Sequence, residues 1–184
     1  MRHLLATSLL ASIALAGPAC AADFTLESPV LAPGASLGAE QVLDGFGCTG
    51  GNRSPALTWH NPPPGTRSFA ITVHDPDAPT GSGWWHWVVH DLPADTRGLP
   101  VGAGAPAGTG LPPPAVQGRT DFGTQGYGGA CPPAGDPPHR YRFTVHALKV
   151  ERLGAPPDAT AAMIGFLLHQ HRIGQATIEV RYGR

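Results

Sequence analysis

A chain of 184 residues, 41% hydrophobic and 14% charged, can bury one sizeable core, which excludes a disordered chain and a string of several full domains. Its formal net charge of -1 is too balanced for nucleic acid or an anionic membrane to be the main partner. The 25 glycines and 21 prolines fall between short apolar runs rather than in one tract, which points to a loop-rich, strand-rich domain.

The first segment stands apart. MRHLLATSLLASIALAGPACAA has Arg2 and His3 ahead of an apolar run from Leu4 to Ala16, and Ala19-Cys20-Ala21 fits an A-x-A cleavage site. This is the pattern of a signal peptide over residues 1–21, too short for a transmembrane span. Residues 22–184 are then a single mature domain, periplasmic or secreted. Cys20 is a poor lipid anchor, because Gly17, Pro18 and Ala19 lack the bulky aliphatic usual before such a cysteine. Cleavage after Ala21 leaves Cys48 and Cys131 in an oxidising compartment, either bridged or as two separate buried thiols.

Phe24 to Ser28 (FTLES) alternates apolar and polar residues as a half-buried strand does, and Ser54 to Trp59 reads as a second short strand before the turn NPPPGT. Ser68 to Asp75 (SFAITVHD) puts Phe69, Ile71, Val73 and Asp75 on one face. WHWVVHDLP, from Trp85 to Pro93, is apolar on both faces and reads as a buried strand. The Gly/Pro/Ala segment from Leu99 to Gly118 is too long for a plain connector, so it is mobile or wraps over something. With few bulky apolar residues to bury, it is expected to show low amide protection.

His139 to Val150 is the clearest strand. His139, Tyr141, Phe143, Val145 and Ala147 face one way; Arg140, Arg142, Thr144, His146 and Leu148 face the other. Pro156 to Arg172 reads as a helix capped by Asp158, with Ala161, Ile164, Leu167 and Leu168 near a 3.6-residue period. Ala176 to Gly183 closes the chain as a strand. The sum is a mostly-β domain with one late helix.

No local histidine pair chelates. His86 and His90 share a strand face but lie about 13 Å apart, and the rings of His169 and His171 diverge on the helix. A metal assembled across strands from Asp75, Asp77, His86 and His139 is disfavoured, so no metal or cofactor is expected. The chain has no G-x-S-x-G elbow and no P-loop. The two aspartates of DPDAP either cap their own turns before proline or take part in chemistry. Asp75 ends one strand, and His139 and Tyr141 begin another, all on core-facing parity. An acid, an imidazole and a phenol thus stand at strand ends, where all-β domains form pockets.

Two motifs, DPDAPTGSGWWHWVVHDLP and GYGGACPPAGDPPHRYRFTVHAL, resemble the phosphatidylethanolamine-binding protein family, also called Raf-kinase-inhibitor-like, in its bacterial YbhB/YbcL branch. DGFGCTGGNRSPALTWHNPPPGTRSFAITVHDPDAP and the terminal ATIEVRYGR fit the same branch, so the resemblance covers nearly the whole mature chain. It implies a β-sandwich with a small anion-binding pocket at one end. It places Asp75 in that pocket, with Asp77 and Pro79 shaping the wall, and adds His86, Pro132, Pro133 and the His139-Arg140-Tyr141 run. Trp84 is a further wall candidate or a plain core tryptophan. The departures are His90-Asp91 and Arg53.

His86, His139 and Tyr141 are donor types that suit a phosphate. Asp75 would repel a bare dianion, but it can orient a histidine or pair with a cationic group such as ethanolamine. The expectation is an exported, non-catalytic protein binding small phosphate-bearing anions or phospholipid head groups. A kinase or protease target and a homodimer stay open as partners, although export argues against a cytosolic kinase. The alternatives are a hydrolase using Asp75 and His139 as base and orienter, and an inhibitor acting through surface loops.

Overall fold

The computed structural model describes residues 22–184, so the signal-peptide segment lies outside the described residues. In chain order the strands are β1 (Thr25–Glu27), β2 (Asp44–Gly45), β3 (Cys48–Thr49), β4 (Leu57–His60), β5 (Ser68–Asp75), β6 (Trp84–Pro93), β7 (Gly98–Leu99), β8 (Val116–Gln117), β9 (His139–Leu148) and β10 (Arg172–Tyr182). One α-helix among the described residues, α1 (Ala161–His171), runs directly into β10. The mostly-β reading holds.

The main sheet has the order β10-β9-β5-β6-β8, every pair antiparallel, and a smaller sheet has the order β1-β4-β7. Alternation along β5 and β9 decides what each face meets. Phe69, Ile71, Val73, Tyr141, Phe143 and Val145 point to the smaller sheet and pack with Leu26, Leu57, Trp59 and Leu99 in one core. The rings of Trp59 and Phe69 lie 5.4 Å apart there. On the opposite face Ala70, Val88 and Leu148 receive Ala161, Ile164 and Leu168 of α1.

Two local expectations are corrected, and one open alternative is decided. The helix begins at Ala161, and its cap is Thr160 rather than Asp158: the extended backbone of Thr160 brings its hydroxyl to accept from Met163 N at 3.2 Å. Residues 156–159 form a separate turn, closed by Ala159 N to Pro156 O. The segment after Leu99 takes the second of its two readings and wraps over the core. Ala103 is fully buried, and a Cβ on Gly104 would come within 2.6 Å of the Tyr127 side chain. Gln117 accepts from Trp87 Nε1 at 2.7 Å and donates to Ala105 O at 2.8 Å. The small residues that suggest mobility are what let this backbone lie flat on Trp87 and Tyr127.

The second correction concerns β6. Val73 pairs with Trp87 but His74 pairs with Trp85, so His86 is the extra residue of a β-bulge. The bulge turns His86 to the same side as Trp87, where its ring meets Tyr141 at 5.2 Å. His90 keeps the parity of Val88, on the helix side, so His86 and His90 do not share a face. A second bulge lies at His90-Asp91, where Asp91 has φ 59°. Asp91 accepts from Leu153 N at 2.7 Å, with His90 Nδ1 3.3 Å from the same oxygen. The His90-Asp91 pair therefore fastens the turn after β9.

Candidate functional site

The turn DPDAP ends β5, and its first aspartate uses both carboxylate oxygens. Asp75 Oδ1 accepts from the backbone N–H groups of Asp77 at 2.8 Å and Ala78 at 3.1 Å, which shapes the turn. Its Oδ2 accepts from His139 Nδ1 at 2.7 Å. Asp75 is 2% exposed and His139 4%, so this is a buried, mutually satisfied pair at the adjoining ends of β5 and β9. The other nitrogen of His139 lies 3.5 Å from Asp136 Oδ2.

Asp77 does different work. Its carboxylate accepts from Arg140 Nε at 2.9 Å and from Arg140 N at 2.8 Å. Hydrogen bonding from Arg140 holds the Asp77 carboxyl down at about 2. The pair lies in a neighbouring depression with Asp136, Pro138 and Arg181, not on the wall of the pocket that holds Asp75.

That pocket has a volume of ≈ 230 Å³, just below the usual range of about 300–1,000 Å³ for drug-sized ligands, so it suits something the size of a head group. It brings together Asp75, Pro79, His86, Pro132, Pro133, His139 and Tyr141, and Trp84 is part of its wall. The sequence reading misses Phe46, Ala78, Thr80, Phe122 and Cys131, which also line it. Phe46 and Cys131 are joined through the chain: Cys48 and Cys131 form a disulfide with Cα atoms 6.0 Å apart. The guanidinium of Arg184 closes the same region, donating to Pro132 O at 2.7 Å and Gly47 O at 3.1 Å.

The pocket's polar groups are few and specific. His86 Nδ1 donates to Gly128 O at 2.8 Å, and Gly128 N donates back to His86 O at 2.9 Å. Burial pushes the His86 imidazole down to about 4. At neutral pH it is therefore uncharged, and its Nε2 offers an acceptor rather than the donor expected. The phenol of Tyr141 is pushed up by burial and by the charge of Asp75, so it keeps its proton. Tyr141 OH and Trp84 Nε1 are both buried and have no hydrogen-bond partner among the described residues. Both belong to residues that line the pocket, and an unpaired buried donor costs about 1–3 kcal/mol. The remaining wall is apolar: Phe122 stands edge-on to Trp84 at 5.4 Å and to His86 at 5.4 Å. No lysine or arginine lines it among the described residues.

A family model described as phosphatidylethanolamine-binding protein matches residues 27–183. YbcL of Escherichia coli K12 is 50% identical over 182 residues, 99% of this chain and 98% of that one. YbhB of the same organism is 51% identical over 83% of this chain and 95% of its own. The putative lipoprotein LppC of Mycobacterium tuberculosis H37Rv is 38% identical over 88% of this chain and 73% of its own. The crystal structure of E. coli YbcL superposes with a TM-score of 0.87 at 52% identity, covering 89% of this chain and 99% of that chain. On this match, which runs through both motifs and the whole described fold, the chain belongs to the phosphatidylethanolamine-binding protein family.

Proposed function

We propose that this is an exported binding protein whose pocket takes the phosphoryl end of a small phosphate-bearing ligand, such as a phospholipid head group, and that occupancy tunes its contact with a protein partner. The observation that carries this reading is the pair of unpartnered buried donors, Tyr141 OH and Trp84 Nε1, on a pocket floored by Asp75 and His139. A phosphoryl oxygen supplies the acceptor both donors lack. Asp75 stays compatible with an anion because His139 and two backbone N–H groups already hold its charge. Export is supported by the signal-peptide pattern, by a disulfide that suits an oxidising compartment, and by the lipoprotein designation of LppC.

Hydrolysis through a covalent intermediate is disfavoured by a specific feature of the wall. Cys131 is bridged and the Thr80 hydroxyl donates to Gly83 O, so neither is a free nucleophile. The test is calorimetric titration of phosphoethanolamine into wild type and Tyr141→Phe. Losing the hydroxyl should weaken binding about tenfold, the worth of one hydrogen bond to a charged group. Because the hydroxyl is unpartnered in the free protein, the same variant should be at least as stable as wild type. Unchanged affinity in a folded variant, or steady turnover of the ester by wild type, would count against the proposal.

A further inference from the structure

We propose that Phe46 sets the ligand preference of the pocket, by taking the flat apolar substituent of a phosphate ester against its ring; the inference rests on the phosphate reading above. Phe46 is an anomaly in two independent ways. It is 75% exposed, the most exposed of the large hydrophobic side chains among the described residues, and it adopts φ 51° between Gly45 and Gly47, a left-handed conformation that a side chain of this size rarely takes. An exposed, strained aromatic gives nothing to the core.

What the chain does instead is hold this residue in place. Cys48, two residues on, is bridged to Cys131 of the pocket wall. Arg184 donates to Phe46 O at 3.3 Å and Gly47 O at 3.1 Å while gripping Pro132 O. The Phe46 ring stacks on Phe122, with centroids 6.0 Å apart and planes at 26°. Phe122 in turn meets Trp84 and His86 edge-on. A continuous aromatic surface thus runs from the pocket's polar floor to its mouth and ends at Phe46.

The dimensions agree. A bare phosphate, five heavy atoms, does not fill ≈ 230 Å³. The polar donors lie at Tyr141 and Trp84, and the remaining wall of Ala78, Pro79, Phe122, Pro132 and Phe46 offers only apolar surface. A ligand satisfying both parts carries an acceptor at one end and a flat apolar group at the other. With no lysine or arginine on the wall, charge alone gives no preference for a free phosphate.

The experiment compares phenyl phosphate with methyl phosphate, two esters alike in charge and differing in the ring. Both are titrated by calorimetry into wild type, Phe46→Ala, Phe46→Tyr and Phe46→Gly, each checked by thermal melting. Wild type should prefer phenyl phosphate about tenfold, the scale of one aromatic contact with its burial. Phe46→Ala and Phe46→Gly should bring that ratio near one and leave methyl phosphate affinity unchanged, while Phe46→Tyr keeps the preference. Phe46→Gly should also melt no lower than wild type, because glycine adopts this φ without strain. A ratio retained in Phe46→Ala, or an equal loss for both esters, overturns the role of Phe46 and leaves the phosphate reading standing. If neither ester binds wild type, both fall together.

Discussion

Reduction of the Cys48–Cys131 bridge should cost the protein about 4–5 kcal/mol of stability. The bridge spans 83 residues of sequence, and closing a loop of that length removes about this much from the unfolded chain in the entropy model. Against the 5–15 kcal/mol typical of a whole domain, that is a large fraction. The effect should also be local. The bridge ties the Phe46 loop to Cys131-Pro132-Pro133, so the reduced protein loses one of the two clamps on the pocket wall and keeps only Arg184. Free-thiol titration of the denatured, unreduced mature protein should find none, and reductant should lower the denaturant midpoint and raise the slope, because the unbridged unfolded chain exposes more surface. A reduced protein as stable as the oxidised one would contradict this.

Mild acid should unfold the protein more steeply than its carboxylates alone would require. Burial pushes His86 down from 6.5 to about 4 and His146 down from 6.5 to about 3. His146 is buried against Thr72, whose hydroxyl lies 2.9 Å from its Nε2. Both groups are depressed in the folded state, so between pH 6.5 and about 4 the unfolded chain binds two protons that the folded chain refuses. Stability is then lost as pH falls, with a slope approaching about 2.7 kcal/mol per pH unit near the middle of that window. The contribution of each histidine is on the order of 3 kcal/mol by pH 4. Half-buried His74 is lowered in the same direction. Asp77, held at about 2 by Arg140, adds a further loss as pH falls below 3.8. Urea midpoints from pH 7.5 to 4.5 test this; a flat profile above pH 5 would show that these imidazoles charge freely in the folded state.

What could be read from the sequence follows from how local each determinant is. The faces of Ser68–Asp75 and His139–Leu148 were legible because β5 and β9 are central strands with a core on one side, so side-chain alternation maps directly onto burial. Asp75, His139 and Tyr141 were legible for the same reason. His86 was placed by family resemblance alone, since a single extra residue in β6 reverses the parity that alternation assigns to it. Phe46 and Phe122 lay beyond local reading: one arrives through a disulfide spanning 83 residues, the other by stacking from a loop. Asp158 and Thr160 are both good capping types, and only backbone geometry decides between them. Asp77 matches the family motif, yet its carboxylate is committed to Arg140 outside the pocket.

The most direct test of the pocket is the indole N–H spectrum during titration with phosphoethanolamine. The chain has four tryptophans, and their environments differ enough to serve as mutual controls. Trp84 Nε1 is unpartnered at the pocket, Trp59 Nε1 is unpartnered within the core, and Trp87 Nε1 is bonded to Gln117. Assigned by single Trp→Phe variants, the Trp84 indole signal should move downfield and saturate with the calorimetric affinity, as expected for a donor acquiring a charged acceptor. The Trp59 and Trp87 signals should stay in place. A Trp84 signal that does not move at saturating ligand, while signals elsewhere do, would show that the ligand binds outside this pocket and would contradict the account.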